Sequence, residues 1–231
     1  MARYFIELAY NGRNYHGWQI QPGTPTVQEA LNRALSTLLR EEIQVVGAGR
    51  TDTGVHASFY VAHFDTCQSL EYPEQTVYKL NRILGKDIAV SRIYPVATDK
   101  HARFSAVSRT YQYFTDKNKN PFTCEYAWKV YPLPDIRLMN EACQVLFEYR
   151  DFTSFSKLHT DVKTNNCIIM DAHWKDTEKQ LVFTIKADRF LRNMVRAIVG
   201  TMVEIGQGKL TLADFRRIIE SRNRCNAGTS V

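Results

Sequence analysis

The chain has few of the features that mark exported, membrane-spanning or disulfide-linked proteins. Its apolar runs all fall short of the ~20 residues that a membrane-spanning helix needs. From Met1 the sequence passes directly into an alternating segment that begins at Arg3, without the basic, apolar and small-residue regions of an export signal. The five cysteines form no Cys-x-x-Cys pair, which disfavours a disulfide framework and a zinc site. We therefore expect a cytoplasmic protein that does not contact a membrane.

Glycine and proline are also scarce, at 11 and 7 of 231 residues, so no linker or collagen-like segment is indicated. Hydrophobic residues make up 44% of the chain and aromatic residues 12%, which is enough for a packed core. Lysine and arginine number 30 against 24 acidic residues. The resulting net charge of +6 favours a polyanionic partner only if the excess collects on one face. Local patterns must therefore decide the function.

Apolar spacing in the first half of the chain predicts two helices among four strands. Residues Arg3 to Tyr10 alternate, with their apolar and aromatic side chains on one side, which is the period of a strand. Thr26 begins a capping box, and apolar residues then recur at helical spacing to about Arg40. Further strands are predicted at 43–48, 59–64 and 88–94, and a second helix at 72–84. The order β-α-β-β-α-β is the ferredoxin-like arrangement, with both helices on one face of an antiparallel sheet.

The second half repeats this scheme incompletely. The predicted elements are strands at 102–115, 126–131, 167–174 and 181–187, and helices at 136–147, 190–205 and 212–219. No linker separates the halves. We expect an α+β fold with two ferredoxin-like (RRM-like) lobes, residues 1–101 and 102–231, the second without its final strand. The lobes are expected to share one continuous, mostly antiparallel sheet with a central cleft.

The loop between the second and third predicted strands carries the most distinctive motif. Its sequence is Gly47-Ala48-Gly49-Arg50-Thr51-Asp52-Thr53-Gly54-Val55-His56-Ala57. Three glycines permit turns and close backbone approach that other residues would forbid. Considered alone, Asp52 would most simply close a tight turn through an Asx-type hydrogen bond. A P-loop is disfavoured because no lysine follows the glycines.

The loop resembles the G-R-T-D-x-G-V-H-A motif of the TruA family of tRNA pseudouridine synthases. Other segments resemble that family's motifs in the same order, and together they cover almost the whole chain: Tyr10 to Gly12, Tyr15 to Pro22, Thr26 to Gln28, Ala102 to Ala106, Arg109 to Tyr113, Asp151 to Phe155, and Phe190 to Gly200. The sequence departs from the family at Arg150 and Asn166, where His and Arg are usual. After Ala227 the family normally continues into a terminal strand.

The resemblance implies an isomerase that needs neither a cofactor nor a metal. Such an enzyme detaches uracil from its ribose, rotates it and rejoins it through carbon, which converts uridine to pseudouridine. In this family the targets are positions 38, 39 and 40 of the anticodon stem-loop of tRNA. The resemblance further implies a homodimer that holds one tRNA across both subunits.

Four residues receive roles from the resemblance. Asp52 is the catalytic carboxylate, as nucleophile at C1′ or as base at C2′, and the sequence leaves both routes open. Arg196 is the cation that keeps this carboxylate ionised in a site that excludes water. Arg50 holds the place of the flipped nucleotide, and Tyr111 stacks on the uracil and assists in proton transfer from C5.

Without the resemblance, two of these residues have simpler interpretations. Tyr111 would be an ordinary cross-strand aromatic residue. Arg196 would belong to a solvated basic stripe with Arg189 and Arg192 on the predicted 190–205 helix. Further basic residues are candidates for phosphate contacts: Arg13, Arg103, Lys157 and Lys163.

Two other classes of protein are alternatives. A non-catalytic RNA-binding protein could use the open face of a ferredoxin-like sheet as a stacking platform, although the RNP1 string of such modules is missing. A metal-dependent phosphohydrolase would need several converging acids, whereas only Asp52 stands in a motif. The six histidines show no zinc-binding spacing.

Overall fold

The structure is a computed structural model that describes residues 1–157 and 164–231. Its contacts divide the chain into two compact units, Met1–Val107 and Ser108–Val231. Residues 102–107 therefore pack with the first unit, beyond the boundary at 101 that the sequence indicates. Among the described residues, no helix has the length and apolar character needed to cross a membrane.

The first unit follows the predicted β-α-β-β-α-β order. Its elements are β1 (Ala2–Tyr10), α1 (Val27–Leu39), β2 (Val46–Gly47), β3 (Ala57–Thr66), α2 (Pro73–Ile83) and β4 (Ile88–Val96). The four strands pair in the order β2-β3-β1-β4, and all three pairings are antiparallel. This is the ferredoxin-like order, so the fold predicted for the first half is confirmed.

Local sequence explains the first two elements. Tyr4, Ile6 and Leu8 are buried on one face of β1, as the alternation predicts. The Thr26 hydroxyl caps α1 by accepting a hydrogen bond from the Glu29 N–H at 3.3 Å. Apolar residues of α1 and α2 join the same core as these β1 side chains. The helices therefore cover one face of the sheet.

The second unit contains four strands and three helices in the described residues. Its elements are β5 (Arg109–Asp116), β6 (Trp128–Lys129), α3 (Ile136–Leu146), β7 (Ile169–Asp176), β8 (Gln180–Ala187), α4 (Met194–Gly206) and α5 (Leu212–Glu220). The strands pair in the order β6-β5-β8-β7. A separate core forms where α3, α4 and α5 pack on one face of this sheet.

The strands hydrogen-bond into two four-stranded sheets, one in each unit, where the sequence predicts one continuous sheet. The predicted strand at 102–115 is shorter than expected and begins at Arg109. The preceding residues turn back towards β3, because the Ala102 N–H donates to Nδ1 of His63 at 3.2 Å. This long-range contact has no local sequence signal.

The edge of the second sheet also differs from the repeat. The short β6 pairs in parallel with β5 and occupies the edge position that the last strand of a ferredoxin-like unit would take. In the described part of the chain, no strand follows α5.

Candidate active site

Asp52 lies in the loop of residues 48–56, which connects β2 to β3 in the first unit. Its side chain is half-buried, and Arg50 on the same loop is exposed. The main-chain carbonyl of Asp52 accepts a hydrogen bond from the Val55 N–H at 3.2 Å, with Gly54 at φ = 79° between them. A β-turn with a glycine in the left-handed region therefore follows the carboxylate directly.

Residues from the N-terminal segment hold this loop on both sides of Asp52. The Trp18 N–H donates to the Thr51 carbonyl at 3.3 Å, and the Gly54 N–H donates to the Tyr15 carbonyl at 3.2 Å. The hydroxyls of Tyr10 and Thr51 lie 3.0 Å apart and share a hydrogen bond. The backbone position of Asp52 is thus fixed by bonds to residues about 40 positions earlier in the chain.

Two glycines allow the N-terminal segment to approach the loop. Gly17 has φ = 85°, and a Cβ there would lie 2.2 Å from the Thr51 carbonyl oxygen. At Gly12 a Cβ would lie 2.0 Å from the Val55 carbonyl oxygen. Real Cβ atoms do not tolerate such distances, so the close contact requires glycine at both positions.

His56 connects the end of the loop to the same segment. Its Nδ1 accepts a hydrogen bond from the Gly12 N–H at 3.1 Å. Partial burial lowers the pKa of His56, which favours the neutral form that this bond requires. His56 therefore shapes the loop.

Tyr111 lies on β5 in the second unit. It pairs across the sheet with Ile185 and packs against the helix-covered core. Its ring meets Phe190 edge to face, with centroids 5.1 Å apart and an interplanar angle of 89°. Tyr113 lies two residues further on the same face and meets Trp128 in the same manner. These contacts fix the ring planes of both tyrosines.

Arg196 lies in the first turn of α4 and is exposed. Its Nε donates to the Val231 carbonyl at 2.7 Å. Burial raises the pKa of Tyr113, and the positive charge of Arg196 partly counters this effect. The positive charge of Arg196 is therefore felt on the side of β5 that carries Tyr113.

The predicted basic stripe on this helix is wrong. The helix begins at Met194, because Asn193 adopts the left-handed conformation with φ = 70°. Arg189 and Arg192 precede the helix and do not share a helical face with Arg196.

The carboxyl-terminal residues pack along α4, a contact that sequence reasoning missed. The Gly228 N–H donates to the Thr201 hydroxyl at 3.0 Å, and a Cβ at Gly200 would lie 1.9 Å from the Thr229 carbonyl oxygen. Arg224 donates to the carbonyls of Ala227 and Gly228, at 3.2 Å each, and to the Ser230 hydroxyl at 2.6 Å. In the sequence, Gly200 and Gly228 are the only signal for this contact.

The predicted site residues thus fall into two pairs. Asp52 and Arg50 share one loop of the first unit, whereas Tyr111 and Arg196 lie on β5 and α4 of the second. No cluster of three or more His, Cys, Asp or Glu side chains suited to a metal ion occurs in residues 1–157 and 164–231. Three of the other basic candidates are exposed: Arg13, Arg103 and Lys157. The fourth, Lys163, lies outside the described residues.

Comparison with known proteins gives extensive matches. A family model described as tRNA pseudouridine synthase matches residues 8–105 and 142–231, which include the Asp52 loop and α4. The tRNA pseudouridine synthase A of Parabacteroides distasonis is 57% identical over 231 residues, covering 100% of this chain and 92% of that protein. The one from Bacteroides thetaiotaomicron is 58% identical over 233 residues, covering 100% and 86%. The one from Bacillus subtilis is 39% identical over 225 residues, covering 96% and 91%.

Proposed function

The chain belongs to the tRNA pseudouridine synthase family, and from this premise we propose which uridines it modifies and how its residues act. As a member of this family it is an isomerase that converts uridine in tRNA to pseudouridine. The proposed targets are positions 38, 39 and 40 of the anticodon stem-loop. The reaction proceeds without a cofactor, and the active form is a cytoplasmic homodimer that holds one tRNA across both subunits.

One observation carries the proposed role of Asp52. The main chain is held immediately before it, at Thr51, and shortly after it, at Gly54, by bonds to the N-terminal segment. Two contacts that only glycine permits bring that segment into place. Catalytic groups need their backbone held to within a fraction of an ångström, whereas a turn that only connects two strands does not. The loop therefore has the rigidity that a catalytic carboxylate requires.

The proposed chemistry assigns one negative and one positive group. The Asp52 carboxylate either attacks C1′ of the target ribose or removes a proton from C2′, and the glycosidic bond then breaks. Arg196 supplies the positive charge that keeps this carboxylate ionised when water is excluded. The uracil rotates and rejoins the ribose through C5, and the C5 proton is then lost to solvent.

Substrate binding is proposed for Arg50 and Tyr111. A stacked or paired uridine must be flipped out before reaction, which costs a few kcal/mol that contacts in the site must offset. Arg50 is exposed and, among the described residues, makes no hydrogen bond or ion pair, so its guanidinium is available to occupy the space left by the flipped nucleotide. Tyr111 stacks on the uracil with a ring that Phe190 already orients, and its hydroxyl assists the transfer of the C5 proton.

Release of tritium from C5-tritiated uridine in tRNA tests this assignment. The Asp52→Asn variant keeps the size of the side chain and removes its charge, so release should fall below detection while tRNA binding persists. Asp99→Asn is the matched control, because Asp99 is an exposed carboxylate whose only ion pair with a described residue is with its neighbour Lys100, at 3.6 Å. This control should release tritium at the wild-type rate.

Other results would reject the proposal. If Asp52→Asn released tritium normally, the carboxylate could not be the reacting group. If the wild-type protein bound tRNA tightly but converted no uridine, the non-catalytic RNA-binding alternative would stand instead.

A further inference from the structure

A small pocket opens beside the Asp52 loop in the first unit. Its volume is about 150 Å³, and its lining includes Trp18, Gln19, Gly47, Gly49, Arg50 and Arg103. Three of these residues belong to the segment that leads into Asp52: Gly47, Gly49 and Arg50. In the proposed function Arg50 also occupies the space left by the flipped nucleotide, and the sequence offers Arg103 as a candidate for a phosphate contact.

Trp18 contributes an indole N–H to the lining of this pocket. Its side chain is 3% exposed, and its ring stacks on Tyr60 with centroids 4.2 Å apart. The indole Nε1 lies against Gly47, where a Cβ would come within 2.6 Å of it. Nothing in the described part of the chain accepts a hydrogen bond from this N–H. The nitrogen is not among the buried side-chain atoms that lack a partner, so this N–H reaches the open space of the pocket and can donate to a ligand there.

The other polar groups of the pocket also donate or are already engaged. Gln28 uses both ends of its amide within the protein, accepting from the Ile20 N–H and donating to the Val45 carbonyl. Arg50 and Arg103 are exposed cations, and Gln19 offers an exposed amide. Of the described residues that line the pocket, none is acidic. The pocket is therefore positive and rich in donors.

We propose that this pocket binds a backbone phosphate of the tRNA, on the strand that carries the target uridine. A phosphodiester offers anionic acceptor oxygens, which match a pocket lined by an indole N–H and two arginines. Arg50 lines the pocket, and Asp52 follows it by two residues. A phosphate bound there therefore positions the RNA strand relative to the Asp52 carboxylate. This inference rests on the proposed function for the identity of the RNA.

The indole resonances provide a direct test. The chain has three tryptophans, so a protein labelled with ¹⁵N at the indole nitrogen gives three N–H peaks, and Trp18→Phe identifies one. The probe is an anticodon stem-loop RNA in which the uridines at 38 to 40 are cytidines, so binding is observed without turnover. The Trp18 peak should move on binding. The Trp174 peak should not, because its indole N–H already donates to Sδ of Met202 at 3.4 Å.

Matched variants separate the pocket from general electrostatics. Arg103→Gln should weaken RNA binding by about tenfold and lower the slope of log K against log salt concentration by about 0.7 to 1, as expected for one lost phosphate contact. Arg82→Gln removes an exposed arginine of α2 and should change neither quantity beyond a small long-range effect.

Several outcomes would overturn the inference. A stationary Trp18 peak while the RNA binds would show that the indole is not part of the interface. A response to inorganic phosphate as strong as the response to RNA would indicate a free-anion site instead. Equal losses of RNA affinity in Arg103→Gln and Arg82→Gln would show that Arg103 contributes only nonspecific electrostatic attraction. Failure of the proposed function would appear differently, as a wild-type protein that forms no pseudouridine in tRNA.

Discussion

Replacing Gly17 with alanine tests whether the N-terminal segment holds the Asp52 loop in place. Two costs arise at this position. The left-handed backbone, at φ = 85°, costs an alanine roughly 1–2 kcal/mol. The new Cβ would also lie 2.2 Å from the Thr51 carbonyl oxygen, so the loop must move and its 3.3 Å bond from the Trp18 N–H is lost. That loss adds about 1 kcal/mol or more.

Gly23→Ala is a matched control for the backbone cost. Gly23 has a similar φ of 71°, but a Cβ there would have no atom within 4 Å. Urea unfolding should therefore give a loss of roughly 1–2 kcal/mol for Gly23→Ala and about 2–4 kcal/mol for Gly17→Ala. The difference between the variants isolates the contact with Thr51.

Single-turnover tritium release then connects this contact to catalysis. A displacement of about 1 Å in a catalytic group costs on the order of 100-fold in rate, which is the loss we expect for Gly17→Ala in folded protein. Gly23→Ala should react at close to the wild-type rate. If both variants lost stability and activity equally, the Gly17 contact would have no special role in placing Asp52.

Three further predictions concern other parts of the molecule. Burial, with smaller contributions from the charges of Arg3 and His101, lowers the pKa of His63 from 6.5 to about 4. Below pH 6.5 the folded protein therefore binds fewer protons than the unfolded chain. Its free energy of unfolding should fall by about 2 kcal/mol between pH 7 and pH 5. Urea unfolding of His63→Gln should show a weaker dependence on pH over the same range. Tyr111→Phe removes the hydroxyl that assists C5 proton transfer, so it should slow the single-turnover reaction. Affinity for tRNA and stability should stay constant, since the ring contact with Phe190 is kept; a pure loss of affinity would contradict its role. Gly200→Ala should displace the residues around Thr229 from α4 and speed their removal by carboxypeptidase, and unchanged digestion would contradict the packing described here.

Elements with strong local signals were predicted well from the sequence. The alternation of β1 and the Thr26 cap of α1 depend on neighbouring residues, and both are confirmed. The start of α4 was predicted four residues early, at Phe190, because apolar spacing continues through the irregular segment before Met194. The break is caused by the left-handed backbone of Asn193, a conformation that apolar periodicity does not reveal.

Features that depend on distant contacts could not be predicted. The segment after Ala102 has a strand-like pattern, but its hydrogen bond to His63 turns it back onto the first unit. At the site, the motif identified Asp52 and the resemblance supplied its role. Hydrogen bonds to Tyr15 and Trp18 fix the backbone around Asp52, and they join segments more than 30 positions apart. In the sequence, isolated glycines are the only sign of these contacts.

Mapping of pseudouridine in tRNA tests the central claim most directly. Unmodified tRNA is incubated with the wild-type chain and, separately, with Asp52→Ala, and each uridine is then assayed for conversion. We predict pseudouridine at positions 38, 39 and 40 with the wild-type chain and none with Asp52→Ala, although both proteins bind the tRNA. Equal conversion by the two proteins would contradict the assignment of Asp52 as the reacting group.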